Sequence, residues 1–371
     1  MKILIIGEYS GFAKYLSRGF HELGHKAFVF SWGDSFKAIE QDADSYYVNV
    51  KDYRIGKYTI KNSNRIRNRF SGLKLQHFIK KMEKDWDCAI IINFGFVKMT
   101  NNPLIPFISM EQIESLLKDK RQIFLSACGG DYIFYKYIIE KGCASAYEIE
   151  KAKNSICNEE DKFLKLLPSV KGIVPISIDY EDAYKFYLNA FKYTLFSMIP
   201  LPFDVNSVTT SRSISDKIII MHGVNRPEPK GSNFIIPAME RIQAEYPDRV
   251  KIDIVRRVPL SEYLLRMEDA TILIDQCYAK SAGMNAIEAL AMGKVVLGGN
   301  GQGNAESLGE EVSPVIHINP DEDDIYNKLK VLVDNPHTLV ELSRQSREFA
   351  CKVYDCKRVA KKYVNLFLKE A

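Results

Sequence analysis

The sequence predicts an α/β protein built from two parallel-sheet halves, and three observations carry that expectation. Short apolar runs alternate with helical periods almost from end to end, and continuous apolar strands set between helices belong to parallel sheets covered on both faces. A length of 371 residues is enough for two domains, each with its own core. One stretch breaks the alternation: "MIPLPFDVNSVTTSRSISD", 198–216, where prolines give way to serines and threonines, reads as a linker.

In the first half, strands are expected at 2–6, 27–31, 88–93, 122–125 and 172–175. Between the first two, "SGFAKYLSRGFHELGHK" repeats Phe12, Leu16, Phe20 and Leu23 at helical spacing until Gly24 stops the helix, giving one βαβ unit. In the second half, strands are expected at 217–221, 251–255, 271–276, 294–298 and 315–318, with helices near 231–246, 261–267 and 321–334. From about Thr338 the chain is expected to be helical to its end. Two Rossmann-like halves joined by a proline-marked linker is the predicted architecture.

Composition narrows the class. Hydrophobic residues at 46% and charged residues at 26% belong to a soluble globular chain, and a net charge of +4 is too small to argue for nucleic acid. Seven scattered cysteines, with no CxxC or Cys/His ligand spacing, read as reduced thiols and give no metal site. The chain opens directly into a strand, "MKILIIGEY", without a leader, and no apolar run approaches the ~18 residues of a membrane span. The expected location is the cytoplasm or the inner face of its membrane.

In open parallel sheets the ligand lies beyond the carboxyl ends of the strands. After 217–221 comes "HGVNRPEPKGSNF", in which Arg226 and Lys230 precede a helix opened by Gly231-Ser232. Cations beside free helix N–H groups suit a diphosphate; a solvated charged loop is the plain alternative. After 271–276 comes "CYAKSAGMNAIEALAMG", where Ser281 is a natural N-cap and Ala282-Gly283, just before Met284, let a ligand approach the backbone closely. Glu288 lies one turn further in. Its neighbours three and four positions away are Asn285, Met284, Ala291 and Met292, so no local cation can pair with it. An unpartnered buried carboxylate is costly, and a ribose diol donating to both oxygens would supply what the helix lacks; a Glu held by a distant Arg is the competing account. After 294–298, "GNGQGNAESLGEE" sets four glycines around Glu306, either a loop that offers backbone amides to a ligand or a plain turn.

These features resemble the GT-B glycosyltransferases, specifically the large family 4 group. The resemblance rests on Arg226, on Lys230-Gly231, on "EALAMGKVV" from Glu288, and on the opening "IGEYSGFAKYLSRGFHELGHKAFVFS". It implies two Rossmann-like domains whose parallel sheets face each other across a cleft: an acceptor-binding domain at 1–205, a nucleotide-sugar-binding domain at 206–345, and a final helix, 346–371, crossing back onto the first. Arg226 and Lys230 would hold the donor diphosphate, Glu288 the ribose, and Gly11 the loop facing the phosphates, with Glu306 where the family often has a Gly-rich "PE" at the donor. Apart from the resemblance, His222 begins the loop after 217–221 and either reaches the sugar or phosphate or is a structural histidine. "CGGDYIFY", 128–135, lies where many relatives read His-Gly-Ser-Asp, so Cys128 departs from the pattern while Asp131 becomes the acceptor-side carboxylate, unless it is simply a helix N-cap. Lys280 departs too, standing where relatives carry an acid near the donor sugar.

The implied activity is transfer of a sugar from a UDP- or GDP-sugar to a glycan or lipid-linked acceptor in cell-surface polysaccharide synthesis, retaining and without a metal or other cofactor. A non-catalytic GT-B-like partner subunit and a sugar-nucleotide epimerase of the same fold are the alternatives. "DWD" at 85–87 precedes a strand instead of following one, and "DEDD" at 321–324 opens a helix whose dipole favours carboxylates, so neither argues for a metal. Between 51 and 84 stand eleven Lys or Arg against Asp52 and Glu83, interleaved with aromatic and aliphatic residues. That stretch suits peripheral contact with an anionic membrane, or is a solvated basic helix.

Overall fold

The computed structural model describes residues 1–32, 44–47, 53–55, 58–60, 64–210 and 217–371; for 47, 53–55, 58–60 and 64–69 the description is of the backbone. The first half contains β1 (Lys2–Ile6), α1 (Phe12–Glu22), β2 (Lys26–Ser31), β3 (Ser45–Tyr47), the hairpin β4 (Tyr53–Ile55) and β5 (Tyr58–Ile60), α2 (Asn64–Lys81) and β6 (Cys88–Ile91). It continues with the short pair β7 (Val97–Lys98) and β8 (Ile108–Ser109), α3 (Met110–Leu116), β9 (Ile123–Ala127), α4 (Tyr132–Lys141), α5 (Ala146–Leu166), β10 (Gly172–Pro175) and α6 (Ile178–Phe191). Six strands form one parallel sheet in the order β10-β9-β6-β1-β2-β3. Its central strands are buried on both faces, which is why they read as unbroken apolar runs.

The second half contains β11 (Ile218–Gly223), α7 (Pro227–Lys230), α8 (Ser232–Glu245), β12 (Val250–Val255), α9 (Leu260–Asp269), β13 (Ile272–Ile274), α10 (Met284–Ala291) and β14 (Val295–Gly298). After these come α11 (Asn304–Leu308), β15 (Ile316–His317), α12 (Glu322–Asp334), α13 (His337–Val353) and α14 (Cys356–Glu370). Its five strands are parallel in the order β12-β11-β13-β14-β15.

The final helical segment is two helices, and the break falls at Tyr354–Asp355 rather than near 346. Helix α13 packs on α10 and β14 in the second half, whereas α14 lies along α1 in the first. There Val359, Ala360, Tyr363 and Phe367 join a core with Ile3, Ile5, Phe12 and Phe20. Gly19 permits this contact, because a Cβ there would stand 2.1 Å from the Cys356 carbonyl oxygen. Two chain crossings therefore join the halves, and they are bonded to each other: Phe203 N–H donates to Tyr354 O at 2.7 Å, and Cys356 N–H to Phe203 O at 2.9 Å. The part of the expected linker at 211–216 lies outside the described residues.

Side chains of the basic stretch from 51 to 69 also lie outside them. Further along α2, Phe70 and Leu73 are exposed while Leu75 is buried. Among the described residues no helix is long and apolar enough to cross a membrane. The carboxylates of "DWD" are engaged by lysines: Lys2 Nζ donates to Asp85 at 2.6 Å and Lys118 Nζ to Asp87 at 2.7 Å. In "DEDD", Asp321 caps α12 through the Asp324 amide at 2.7 Å, as its place at a helix start predicts.

Candidate active site

In the second sheet β11 lies between β12 and β13, so the chain leaves β11 toward opposite sides and opens a crevice beyond its carboxyl end. The loop after β11 carries Arg226 and α7 and ends at Gly231, which caps α8 with φ 73°. A Cβ at Gly231 would meet the Cys277 sulfur at 2.2 Å, and Cys277 N–H donates to Lys230 O at 3.1 Å. The segments following β11 and β13 are thus pressed together at the crevice floor. Arg226 is exposed at its rim, where its guanidinium opposes the upward shift that burial gives the Glu148 carboxyl on α5.

Lys230 is mostly buried, and its Nζ donates to Asp275 Oδ1 at 3.1 Å. Asn285 Nδ2 donates to the same oxygen at 3.0 Å, and Asn285 Oδ1 accepts from the Tyr263 hydroxyl at 2.6 Å. Burial alone would raise the Asp275 carboxyl; Lys230 and Asn285 outweigh it and hold the group below its ordinary range. Sequence reasoning missed Asp275, although an acid closing the apolar run "TILID" was the available signal. The pairing occupies one of three ammonium donors and leaves the others for an anion.

Helix α10 begins at Gly283 with no side-chain cap. Ser281, expected to cap it, instead donates its hydroxyl to Asp179 on α6, which leaves the first amides of α10, at Met284 and its neighbours, without a side-chain acceptor. One turn in, the Glu288 carboxyl has no hydrogen-bond or ion-pair partner among the described residues. Burial pushes its carboxyl up to about 7. The hydroxyls of Tyr15 on α1 and Tyr263 on α9 both feel its charge, so the group stands where the second half faces the first.

Residues 239–349 match the model of the family described as glycosyl transferases group 1. Over that stretch the chain is similar to group 1 glycosyltransferases, and its two parallel-sheet halves have the GT-B fold. No curated protein matches it in sequence. Among solved structures, it is similar to sucrose-phosphate synthase from Thermosynechococcus elongatus, at 12% identity and TM-score 0.60, covering 100% of this chain and 99% of that one. Anabaena HepE in complex with UDP and glucose is similar at 13% identity and TM-score 0.57, with 100% of both chains covered. A TarM variant from S. aureus, solved with Fondaparinux, alpha-GlcNAc-glycerol and UDP, is similar at 12% identity and TM-score 0.63, covering 99% of each chain.

Other residues singled out in this glycosyltransferase do different work. His222 is fully buried. Its Nδ1 lies 2.8 Å from Ile274 O, a group that can only accept, so Nδ1–H donates; Nε2 then accepts from the Ser232 hydroxyl at 2.8 Å. Burial lowers its pKa to about 4, and a neutral ring with both nitrogens engaged ties β11 to β13 and α8 instead of reaching a ligand. The amide of Gly11 is likewise taken: Glu8, fully buried, accepts from Gly11 N–H at 2.8 Å and Lys14 N–H at 3.1 Å, so a protein carboxylate fills the helix start where phosphates were expected.

Asp131 proves to be the N-cap of α4. One oxygen accepts from Phe134 N–H at 2.8 Å and the other from the Tyr184 hydroxyl at 2.9 Å. Cys128 is buried, its thiol donating to Ile92 O at 2.7 Å. Lys280 faces α6 rather than the crevice, with Nζ 2.7 Å from Asp182. Glu306 is exposed on α11, its carboxylate without a hydrogen-bond partner among the described residues. The structure therefore gathers Arg226, Lys230, Gly283, Met284 and Glu288 about one crevice and places His222, Asp131 and Gly11 in the scaffold around it.

Proposed function

We propose that this glycosyltransferase moves a sugar from a nucleotide-sugar, seated chiefly on the second half, to a glycan or lipid-linked glycan acceptor on the first. The single observation carrying this reading is Glu288, a carboxyl kept at the crevice with burial raising its pKa and no group among the described residues to satisfy it. Vicinal ribose hydroxyls are the donors that suit it. Arg226, the spare donors of Lys230 and the open start of α10 would meet the diphosphate charge as it develops on the leaving group. UDP, named in the HepE and TarM structures, makes a uridine donor the first to test. The chemistry consists of positioning and charge stabilisation, with retention, no metal, and a role in cell-surface polysaccharide assembly as parts of the same proposal.

Thermal unfolding with UDP, GDP, ADP and their sugars, with and without EDTA, tests it. One nucleotide is expected to stabilise the protein by about 2.7 kcal/mol at a hundredfold excess over Kd, and to do so equally with chelator. No stabilisation by any nucleotide, or product formed from donor with no acceptor present, overturns the reading.

A further inference from the structure

Lys280 and Ser281 belong to the segment that delivers α10 to the crevice, yet their bonds run to the other half of the molecule. Lys280 N–H donates to Asp179 Oδ1 at 2.8 Å, the Ser281 hydroxyl donates to Asp179 Oδ2, and Lys280 Nζ donates to Asp182 Oδ2 at 2.7 Å. Ser177 adds a longer contact to Asp179 at 3.4 Å. Asp179 lies in the first turn of α6, where the helix dipole favours a carboxylate, and Asp182 follows within a turn. Beside this contact a Cβ on Gly303, the cap of α11, would come within 3.2 Å of Ile178, so the halves close tightly there. A small cavity lined by Ser177, Leu201, Ser281, Ala282, Ile287 and Tyr354 adjoins it.

We infer that Asp179 and Asp182 form, with Lys280 and Ser281, an interdomain clasp that fixes α10 against the first half. They act as positioning residues: touching neither donor nor acceptor, they set where Glu288 and the start of α10 stand relative to α1 across the crevice. The lysine standing eight residues before Glu288 thus holds the closed arrangement and does not read the donor sugar. The clasp itself is independent of what is bound; its consequence for turnover rests on the glycosyl-transfer reading above.

Charge reversal tests it with Asp182→Lys, Lys280→Asp and the double variant. In ligand-free protein, the distance between one spin label on α5 and one on α12 should spread in each single variant and narrow again in the double. In turnover, each single reversal is expected to lower kcat on the order of 5- to 20-fold, leave the KM for the nucleotide-sugar within about twofold, and recover in the double. Lys280→Arg should keep the wild-type distance. Overturning outcomes are a double variant as open as the singles, or a tenfold rise in donor KM, on the order of 1.4 kcal/mol, for Lys280→Asp that Asp182→Lys does not share. Failure of wild-type protein to bind any nucleotide defeats the functional reading instead and leaves the distance measurement to judge the clasp.

Discussion

Asp131 in the first half and Glu288 in the second are carboxyls that burial raises to about 7, and each stands at the crevice-facing end of its sheet. Their surroundings differ completely. Asp131 caps α4 with one oxygen and accepts from Tyr184 with the other, so its site is full. Glu288 sits within α10 with neither oxygen engaged by the described residues. A raised pKa therefore marks desolvation in both places, and only the partner list separates a structural carboxyl from one held for a ligand.

The largest effect expected from that difference is on folding. Asp131→Ala removes a cap worth about 1 kcal/mol and leaves a fully buried Tyr184 hydroxyl unpaired, a further 1–3 kcal/mol, so denaturant unfolding should show a loss of about 2–4 kcal/mol. Tyr184→Phe in the same background should recover part of it. Glu288→Ala should cost nothing measurable in the same experiment, since it removes an unsatisfied group and installs the best helix former. A loss comparable to that of Asp131→Ala would show that Glu288 has a structural partner after all.

Binding should reverse the ranking. Two hydroxyl donors to one carboxylate contribute on the order of 2–3 kcal/mol, so Glu288→Ala should weaken nucleotide affinity by roughly 30- to 150-fold. Asp131→Asn, which keeps one acceptor oxygen for the cap and turns the other into an amide donor facing the Tyr184 oxygen, should leave it unchanged. Calorimetric titration with the stabilising nucleotide reads both.

Part of this contrast was legible in the sequence because it is local. The apolar runs gave β1 and β10 to the residue, and the neighbours of Glu288 within its own helix already showed that no cation could reach it from there. An acid three residues before Phe134 was as good an N-cap signal for Asp131 as a catalytic one, and the cap is what formed. What escaped depends on long-range approach. Asp179 and Asp182 lie 101 and 98 residues from Lys280, so nothing local told that the lysine and Ser281 would be drawn away from the crevice. Asp275 meets Lys230 across 45 residues and two strands. Glu8 reaches the start of α1 from only three residues before Gly11, but a loop read as a phosphate cradle hid a carboxylate able to fill it.

The smallest change per step, and the finest discriminator, is on pH. Both groups have folded pKa values of about 7 against ordinary values of 3.8 and 4.5, so between roughly pH 4 and 7 the folded protein holds more protons than the unfolded chain. Stability contributed by these protons is present at the acid end and is lost as pH rises through 7, with a slope of at most about 1.4 kcal/mol per unit for each group. Asp131→Asn and Glu288→Gln should each remove one such increment from the Tm-against-pH curve. Binding separates them, because only the ionised carboxylate can accept from both ribose hydroxyls, one at each oxygen, in charge-assisted bonds. Affinity for a nucleotide-sugar, whose diphosphate has no ionisation near neutrality, should weaken as pH falls below 7 in wild-type protein and in Asp131→Asn. In Glu288→Gln it should be weak and flat. A profile that stays steep in Glu288→Gln would assign the titration to another group and remove the ribose from Glu288.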